Sequence, residues 1–593
     1  MARGAQSGSQ SNGEPHDWVT RAADDAIRRA QQQHGDDLGG HVITCASGAS
    51  PSGPVHLGNL REFLTVHFVA EEIKRRGIPA RHLHSWDDYD RFRKVPAGID
   101  PSWSEHIGRP LSAVPDPWSC HESWAEHYKE PLIASLRELG VEMVEVSQTE
   151  MYRAGAYREQ ILTAVRRRDE IEQVMSRYRT KQLEAGAAAA GPESDEEAAA
   201  MADSVANDGE SGLTGMGATD DLARFPYKPY CRDCGRDTTI ITSYDDETTD
   251  LAYTCTACSY DGVTNLTTDI ADTSGGGKLV WKVDWPMRWQ FEGVDFEPGG
   301  VDHASPGSSY TVGKELVKLY GGRAPSFVGY SFVGAGGQVK MSSSRGGVPT
   351  AAEALRILEA PILRWLYVRR APKQAFNVDF GAEVVRLYDE WDALGKKAAN
   401  PEKRDAQVLA FERASSTTSA GTLPTPAVVV PFKLLSSVAD VTAGSAELIS
   451  RIVGDVGHPH ASVADLEPRL GKAMTWMADF VPEEDRTTVR ETPDAERLAR
   501  LSEDEELWLR QLLGRLPDQL DLESTTSLIY GVPKLARGLG LDDAPTDEVK
   551  QDQKRFFRLL YNLLVDAERG PRLPTLFLAL GADKVRQLLT PPA

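Results

Sequence analysis

The stretch Pro51-Ser-Gly-Pro-Val-His56-Leu-Gly58-Asn59 follows a strand-like run, 41–46, and opens a helical pattern that continues to about Arg75. A strand, a Gly-rich turn and a helix N-terminus form an anion-binding cradle, because the first N–H groups of a helix lack intrahelical partners and its dipole is positive there. Strand-like and helical patterns keep alternating to about residue 180, with another strand at 80–85. The alternation predicts a parallel sheet with crossover helices, and therefore an α/β, Rossmann-like domain.

A second short motif, Lys340-Met-Ser-Ser-Ser344, lies far downstream. Either motif alone can arise by chance, but their order in a chain of 593 residues predicts the two halves of one ATP site. Gly58 would let adenine or ribose approach the backbone, and Lys340 would bring a mobile cation to the phosphates as charge develops in the transition state. The residues predicted to bind ATP are Pro51, Gly53, His56, Gly58, Asn59, Lys340, Met341, Ser342, Ser343 and Ser344.

The composition, with 40% hydrophobic and 26% charged residues, is that of an ordinary multi-domain protein. No run approaches ~18 uncharged apolar residues, so we expect no transmembrane helix. Residues 1–16 are polar and rich in Gly and Ser, which predicts a disordered tail and not a signal peptide. These features place the protein in the cytoplasm, without a membrane partner.

Composition also divides the chain into segments. The stretch 184–221 consists mainly of Ala, Gly, Ser, Asp and Glu, and it cannot bury enough apolar surface to offset its ordering entropy. The predicted segments are the tail (1–16), the first half of the Rossmann-like domain (17–183), an acidic disordered insertion (184–225), a Cys-bearing insertion (226–275), the second half of the domain with strand-rich residues at 278–284 (276–349), and a mostly helical region (350–593).

Two Cys-x-x-Cys pairs lie in the Cys-bearing insertion: Cys231 with Cys234, and Cys255 with Cys258. Four thiolates with this spacing close a tetrahedral zinc site, and a reducing cytoplasm disfavours the alternative of disulfides. Because all four positions would be filled by the protein, the predicted Zn²⁺ is structural. Loss of the metal from an inherited ribbon is the remaining alternative.

A second cluster of zinc-ligand types is formed by Asp116, Cys120, His121 and His127. Oxygen, sulfur and two imidazoles suit zinc, and the two histidines lie about two turns apart if the stretch is helical. The alternative is a set of polar residues and a buried thiol in a Trp-rich loop. Zinc at this second position is the favoured prediction.

The two ATP motifs resemble the HIGH and KMSKS elements of class I aminoacyl-tRNA synthetases. The sequence around and between them is similar to the class I lysyl-tRNA synthetases found mainly in archaea. The segments that carry this similarity include Trp86-Asp-Asp-Tyr-Asp-Arg-Phe-Arg-Lys94, Trp285-Pro-Met-Arg-Trp289 and Asp302-His303. The resemblance extends from about Trp18 to Tyr388 with one insertion, and returns near 570–574. It implies a class I catalytic domain with an inserted zinc ribbon, followed by an all-α anticodon-binding domain.

The resemblance implies a lysine pocket in which Glu62 pairs with the substrate ammonium. Gly48 and Ser50 would contact the amino-acid backbone, with Ser50 in place of the expected Thr. Aromatic and imidazole walls would come from Trp281, His303 and Tyr330, although Trp281 and Tyr330 could equally be core aromatics. The resemblance also implies an Asp/Cys/His/His metal set at the second cluster.

Two positions depart from the family pattern. Val301 stands where a Lys is expected, which puts a cation there in doubt, and Ser343 replaces the second Lys of the KMSKS element. Arg345 is expected to replace that Lys, because Arg stays charged and binds phosphate with two N–H groups. His56, Asn59, Lys340 and Arg345 are therefore the predicted catalytic residues.

The net charge of −22 conflicts with RNA binding, which normally relies on basic residues. A salt-rich, haloarchaeal cytoplasm would explain a carboxylate-dense surface, and an ordinary acidic mesophilic protein is the alternative. RNA contact would then rest on local basic patches. The residues named for such a patch are Arg364, Arg369, Arg370 and Lys373.

The predicted function is ATP-dependent activation of L-lysine to lysyl-adenylate and its transfer to tRNA(Lys), with Mg²⁺ on the phosphates and a monomer favoured. Two alternatives are a class I enzyme for arginine or glutamate and a non-catalytic tRNA-binding paralogue, which would be expected to lose His56 or Lys340. A metal-dependent nucleotidyltransferase would share the first motif but would not explain the long helical C-terminal region.

Overall fold

The structure is a computed structural model that describes residues 17–188, 221–270, 276–305, 307–335, 349–442, 444–483 and 486–590. The predicted tail, the segment 189–220 of the predicted insertion and the motif at 340–345 lie outside these residues. Among the described residues, no helix combines the length and the apolar character that a bilayer span needs. The chain divides into a first unit of Met1–Ala354, Leu363–Val378 and Lys397–Leu423, and a second of Leu355–Ile362, Asp379–Lys396 and Pro424–Ala593.

The first unit begins with alternating helices and strands, as the sequence predicts. The observed α2 matches the predicted bounds because His56 caps its start and Gly77, with a φ of +75°, follows its end. The elements are α1 (Trp18–His34), β1 (Ile43–Ala49), α2 (Leu57–Arg75), β2 (Ala80–Trp86), α3 (Trp124–Glu138), β3 (Val144–Ser147), α4 (Gln148–Arg153), α5 (Arg158–Arg166) and α6 (Arg168–Ala188).

The Cys-bearing insertion is a small antiparallel module. Its strands are β4 (Tyr227–Pro229), β5 (Thr239–Tyr244), β6 (Asp250–Cys255), β7 (Asp261–Asn265) and β8 (Gly277–Leu279). Strands β5, β6 and β7 form a meander, and β4 pairs with β8. The module packs on the preceding part of the unit, where the hydroxyl of Tyr230 donates to the carbonyl of Tyr89 (2.7 Å).

The chain then returns to the sheet. The next elements are α7 (Trp281–Glu292), β9 (Val294–Gly300), α8 (Ser309–Leu316), β10 (Ser326–Tyr330) and β11 (Val333–Ala335). The sheet has the order β10-β9-β1-β2-β3 and every neighbouring pair is parallel, which confirms the predicted parallel sheet. Two halves of the chain, separated by the insertion, therefore build one sheet with β1 at its centre.

The strand-rich pattern predicted at 278–284 is wrong beyond β8. Helix α7 begins at Trp281, directly after that strand. The spacing of Trp281, Trp285 and Trp289 does not reveal the helix, because residues four apart lie on one face of a helix and also on one face of a strand.

Helices predominate after Pro349, as predicted. The second unit has a core that includes Trp508, Phe556 and Phe577. The remaining elements are α9 (Ala351–Ile357), α10 (Ala360–Val368), β12 (Phe376–Val378), α11 (Glu383–Ala398), α12 (Ala406–Ser415), β13 (Ser416–Thr417), β14 (Gly421–Thr422), α13 (Phe432–Val441), α14 (Ala446–Asp455), α15 (Arg469–Phe480), α16 (Ala495–Leu498), α17 (Glu503–Leu513), α18 (Leu522–Ala536), α19 (Asp547–Val565) and α20 (Leu573–Leu589). Short 3-10 helices cover Leu38–Gly40, Pro101–His106, Leu111–Ala113, Asp221–Arg224, Val301–Ala304, Val317–Tyr320, Pro401–Lys403 and Val463–Leu466.

One residue of the predicted RNA-contacting patch is misplaced. Arg364 is fully buried, and its guanidinium donates to the carbonyls of Leu139 (2.7 Å), Arg413 (3.1 Å) and Ala414 (3.0 Å). These carbonyls lie at the ends of α3 and α12, so Arg364 satisfies helix C-termini inside the first unit. Its inclusion in an RNA-binding surface is therefore wrong, whereas Lys373 is exposed.

Candidate active site

The turn that ends in His56 carries the first half of the predicted ATP site. His56 is the N-cap of α2, and its backbone N–H donates to Oδ1 of Asn59 (3.3 Å). Asn59 therefore uses its amide oxygen to complete the helix cap. Gly58 must lack a side chain, because a Cβ atom there would lie 2.7 Å from Cε1 of the His56 ring. The N-terminus of α2, where the helix dipole is positive, suits a phosphate.

The described residues on both sides of the segment 336–348 lie at this same helix N-terminus. The carbonyl of Pro349 accepts the N–H of Leu57 (2.9 Å), and Thr350 forms a β-bridge with His56. On the other side, the carbonyl of Val333 is 3.8 Å from the position of a Cβ atom at Gly58. The described residues that precede and follow 336–348 therefore lie beside the first motif, and Lys340 and Arg345 are outside the described part of the chain.

A cavity opens at the carboxyl ends of β1, β2 and β9. Parallel sheets bind ligands at this edge, because the loops that follow the strands leave a crevice there. The cavity is lined by Ala46, Ser47, Gly48, Glu62, Leu83, Ser85, Asp87, Trp281, Trp285, Arg288, Trp289, Glu292, Val294, Glu297, Pro298, Gly299 and His303.

Glu62 extends from the second turn of α2 into the cavity. One of its carboxyl oxygens accepts the N–H of Gly48 (2.8 Å), and the other accepts the hydroxyl of Tyr330 (2.6 Å). Burial raises the pKa of the Glu62 carboxyl to about 7, although both hydrogen bonds oppose the rise. A carboxylate fixed in this way can bind an ammonium group through a charge-assisted hydrogen bond.

Arg288 is a cation in the cavity wall, and nearby carboxylates match its charge. Its guanidinium donates to Asp87 (2.9 Å) and lies 3.0 Å from Asp284. Glu62 and Glu297 add two more acidic groups to the lining. Acidic groups therefore outnumber cations among the described lining residues, and the cavity favours a positively charged ligand.

Several other lining residues are aromatic. The rings of Trp281 and Trp285 are stacked with centroids 5.4 Å apart, and Trp285 lies edge-on to His303 at 5.7 Å. The indole N–H of Trp281 donates to Ser309 (3.2 Å) at the start of α8. Aromatic faces of this kind bind an alkyl chain and its ammonium end by packing and cation–π attraction.

The cavity brings together most of the predicted substrate residues. Gly48, Glu62, Trp281 and His303 line it, and Tyr330 joins it through Glu62. Ser50 lies in the turn after β1 and does not contribute to the lining. Residues that sequence reasoning missed are Asp87, Arg288 and Glu297. An acidic residue directly after a strand was the available signal for Asp87.

The second cluster of zinc-ligand types, Asp116, Cys120, His121 and His127, lies before and within the first turn of α3. The sulfur of Cys120 lies 3.1 Å from Oδ2 of Asp116, 3.1 Å from Nδ1 of His121 and 3.3 Å from Nδ1 of His127. These separations fit four ligands around one zinc ion. The Nε2 atom of His121 is 3.1 Å from Glu130, which is the usual second contact of a zinc-binding imidazole.

This cluster is next to the Gly-rich turn. Trp124, which begins α3, donates its indole N–H to the carbonyl of Ser52 (3.2 Å). Since α3 starts at Trp124, His121 precedes the helix and His127 is in its first turn, so the two histidines converge without the two-turn spacing that the sequence suggested.

The four cysteines of the insertion also converge. The sulfurs of Cys231 and Cys258 are 3.6 Å apart, as are those of Cys234 and Cys255, and none of these thiols is in a disulfide. A tetrahedral zinc ion with Zn–S bonds of about 2.3 Å separates its sulfurs by about 3.8 Å. The four thiols therefore have the spacing of a structural zinc site.

A family model described as "tRNA synthetases class I (K)" matches residues 16–417. The chain belongs to this family. Similar members are the lysine–tRNA ligases of Streptomyces coelicolor (48% identical over 97% of this chain and 98% of the relative), Thermococcus kodakarensis (32%, 96% and 98%) and Pyrococcus horikoshii (30%, 95% and 97%). These matches confirm the predicted enzyme class, a class I aminoacyl-tRNA synthetase.

Proposed function

We propose that the protein is a lysine–tRNA ligase, which activates L-lysine with ATP and transfers the lysyl group to tRNA(Lys). The observation that carries this proposal is Glu62, a carboxyl fixed by Gly48 and Tyr330 inside a cavity with an excess of acidic groups. The names of relatives that match almost the whole chain support it.

The reaction has two steps. The lysine carboxylate attacks the α-phosphate of ATP, which forms lysyl-adenylate and releases pyrophosphate; a terminal ribose hydroxyl of the tRNA then attacks the acyl carbon and releases AMP. Both steps depend on positioning and charge stabilisation more than on a protein nucleophile. The α2 N-terminus with His56 would hold the phosphates. Lys340 and Arg345 would stabilise their developing charge, together with Mg²⁺.

Lysine would bind in the cavity with its ammonium group at Glu62. Its alkyl chain would pack on Trp281 and His303, and Gly48 would lie near the amino-acid backbone. Glutamate would place a carboxylate against Glu62, which is unfavourable. Arginine is harder to exclude as the substrate, because its guanidinium would also pair with the carboxylate of Glu62.

Pyrophosphate exchange with lysine, arginine and glutamate, each with and without tRNA, tests the proposal. We expect exchange with lysine alone, and we expect tRNA to stimulate it, as the resemblance to related class I enzymes implies. The assay should be run over a series of potassium chloride concentrations, because the acidic surface predicts activation by salt. Exchange supported by arginine and not by lysine would overturn the proposal.

Further features of the family prediction belong to this proposal. The residues of 350–593 would form a helical stem-contact and anticodon-binding region, and the two ligand sets would each hold Zn²⁺. The enzyme would be a cytoplasmic monomer with a haloarchaeal type of surface. Zinc at the Cys231 set would be structural, whereas the set that contains His127 would support the turn that binds ATP through the contact of Trp124 with Ser52.

The variant Glu62→Gln should raise the KM for lysine by at least an order of magnitude. The amide lacks the charge of the carboxylate, and a charge-assisted hydrogen bond contributes ~1.5–3 kcal/mol. Steady-state exchange kinetics at saturating ATP measure the change, and the KM for ATP should stay nearly constant. Tyr330→Phe, which removes one hydrogen bond to Glu62 and keeps its charge, should have a smaller effect. Unchanged lysine kinetics in Glu62→Gln would remove Glu62 from the pocket.

Lysine binding should also depend on pH around 7. The pKa of Glu62 is raised to about 7 in the free pocket, and the substrate ammonium binds the ionised carboxyl, so binding at low pH must first release a proton. The apparent affinity for lysine should therefore fall roughly tenfold per pH unit below this pKa and level off above it. The same titration of Glu62→Gln is the control. Burial also raises the pKa of Glu297 to about 7. If the lysine affinity of Glu62→Gln still changed with pH around 7, the pH dependence would belong to a group other than Glu62.

A further inference from the structure

Glu297 occupies an unusual position in the wall of the cavity. It lies on β9, is buried, and accepts one indole N–H at each carboxyl oxygen: Trp285 at Oε1 (2.9 Å) and Trp289 at Oε2 (2.5 Å). A buried carboxyl is costly unless hydrogen bonds satisfy it, and here both partners come from one face of α7. Glu297 therefore ties the sheet to the aromatic helix.

The two tied indoles support the residues that would touch the substrate. Trp285 stacks on Trp281 at 5.4 Å and lies edge-on to His303 at 5.7 Å, while Trp289 packs against Trp285 at 4.9 Å. A rotation of Trp285 about its side chain would consequently move both contact surfaces. Aromatic side chains otherwise have several allowed rotamers, and a hydrogen bond to the ring nitrogen selects one of them.

We infer that Glu297 is a positioning residue: by accepting the indole N–H groups of Trp285 and Trp289, it fixes the aromatic wall of the amino-acid pocket and thereby sets the affinity for the amino acid. Glu297 differs in this from Glu62, whose oxygens accept hydrogen bonds from Gly48 and Tyr330 and from no indole. The inference rests on the proposed function for the identity of the amino acid, lysine.

The variant Glu297→Gln tests this role. Glutamine has the same shape, but one oxygen becomes an NH₂ group, so one indole N–H would face a donor and lose its acceptor. We expect the KM for lysine to rise about tenfold, the KM for ATP to change less than about twofold, and kcat to change little. The near-ultraviolet circular dichroism of the substrate-free enzyme should change as well, because the indoles are no longer fixed.

A matched control exists elsewhere in the same sheet. Glu145 on β3 accepts the indole N–H of Trp86 (2.8 Å), and neither residue lines the cavity. Glu145→Gln therefore alters an indole–carboxylate pair of the same chemistry. We expect it to leave the KM for lysine unchanged.

A double-mutant cycle separates positioning from a general loss of structure. Trp289→Phe removes one of the two indole N–H groups. In that background the side chain introduced by Glu297→Gln still has one oxygen, which can accept the N–H of Trp285, so the second change costs no further hydrogen bond. The two changes should be clearly non-additive in the lysine KM. Additive effects, an equal rise in the KM values for lysine and ATP, or an unchanged lysine KM in Glu297→Gln would each overturn the inference. Failure of lysine to support exchange in the unmodified enzyme would instead overturn the proposed function, and the dichroism change would still report on the indoles.

Discussion

Replacing Lys340 with alanine should lower kcat by about 10²–10³ while weakening ATP binding much less. The cation belongs to the second ATP motif, and its charge matters most when negative charge builds up on the phosphates in the transition state. The flanking residues Val333 and Pro349 both lie at the start of α2, which is where the predicted phosphate cradle is. Steady-state aminoacylation at saturating ATP measures kcat, single-turnover formation of lysyl-adenylate measures the rate constant of the activation step, and equilibrium binding measures the Kd for ATP.

The variant Arg345→Ala is the companion measurement. If Arg345 replaces the second Lys of the motif, this variant should show a milder loss of kcat of the same kind, and Arg345→Lys should restore part of it. Lys318→Ala, which removes an exposed cation outside both ATP motifs, is the control. A change in the KM for ATP alone, in both Lys340→Ala and Arg345→Ala, would mean that the motif only binds ATP.

The periodicity of the sequence was sufficient to predict the parallel sheet and the position of α2. A strand, a Gly-rich turn and a helix are local features, and their signals are hydrophobic periodicity and the absence of a side chain at Gly58. The convergence of the four cysteines could be predicted for the same reason. Each Cys-x-x-Cys pair is a local feature, and the spacing between the two pairs is characteristic of a zinc site. The enzyme class could be predicted as well, because the two ATP motifs together are specific although each alone is not.

The less local features escaped prediction. Helix α7 is not evident from the sequence, because the run 278–284 contains β-branched and aromatic residues and the spacing of the tryptophans suits a helix and a strand alike. The burial of Arg364 is not evident either, since composition alone does not indicate that the carbonyls at the ends of α3 and α12 converge around it. The role of Glu297 depends on the contact of β9 with α7, and no property of the sequence near Glu297 reports that contact.

The zinc content of the protein should be two equivalents, and the Cys231 site should have the largest effect on stability. Cys231→Ser should lose one equivalent and unfold the insertion formed by β4–β8, because zinc binding at a Cys₄ site is folding free energy, about 10–16 kcal/mol in zinc-finger peptides. Metal analysis of protein prepared without chelator measures the stoichiometry, and limited proteolysis detects unfolding of the insertion. Cys45→Ser, which changes a cysteine outside both clusters, should keep both equivalents.

The second cluster should respond differently. His127→Ala should lose the other equivalent and lower activity directly, because α3 contacts the Gly-rich turn through Trp124 and Ser52, whereas the insertion contacts the loop after β2 at Tyr89. Cys231→Ser should leave the ATP site chemically intact, so its residual activity at low temperature should exceed that of His127→Ala. Protein without zinc would contradict both assignments. One equivalent that is lost in Cys231→Ser and kept in His127→Ala would contradict only the assignment at Asp116, Cys120, His121 and His127, and would leave that cluster as a hydrogen-bonded support of the turn.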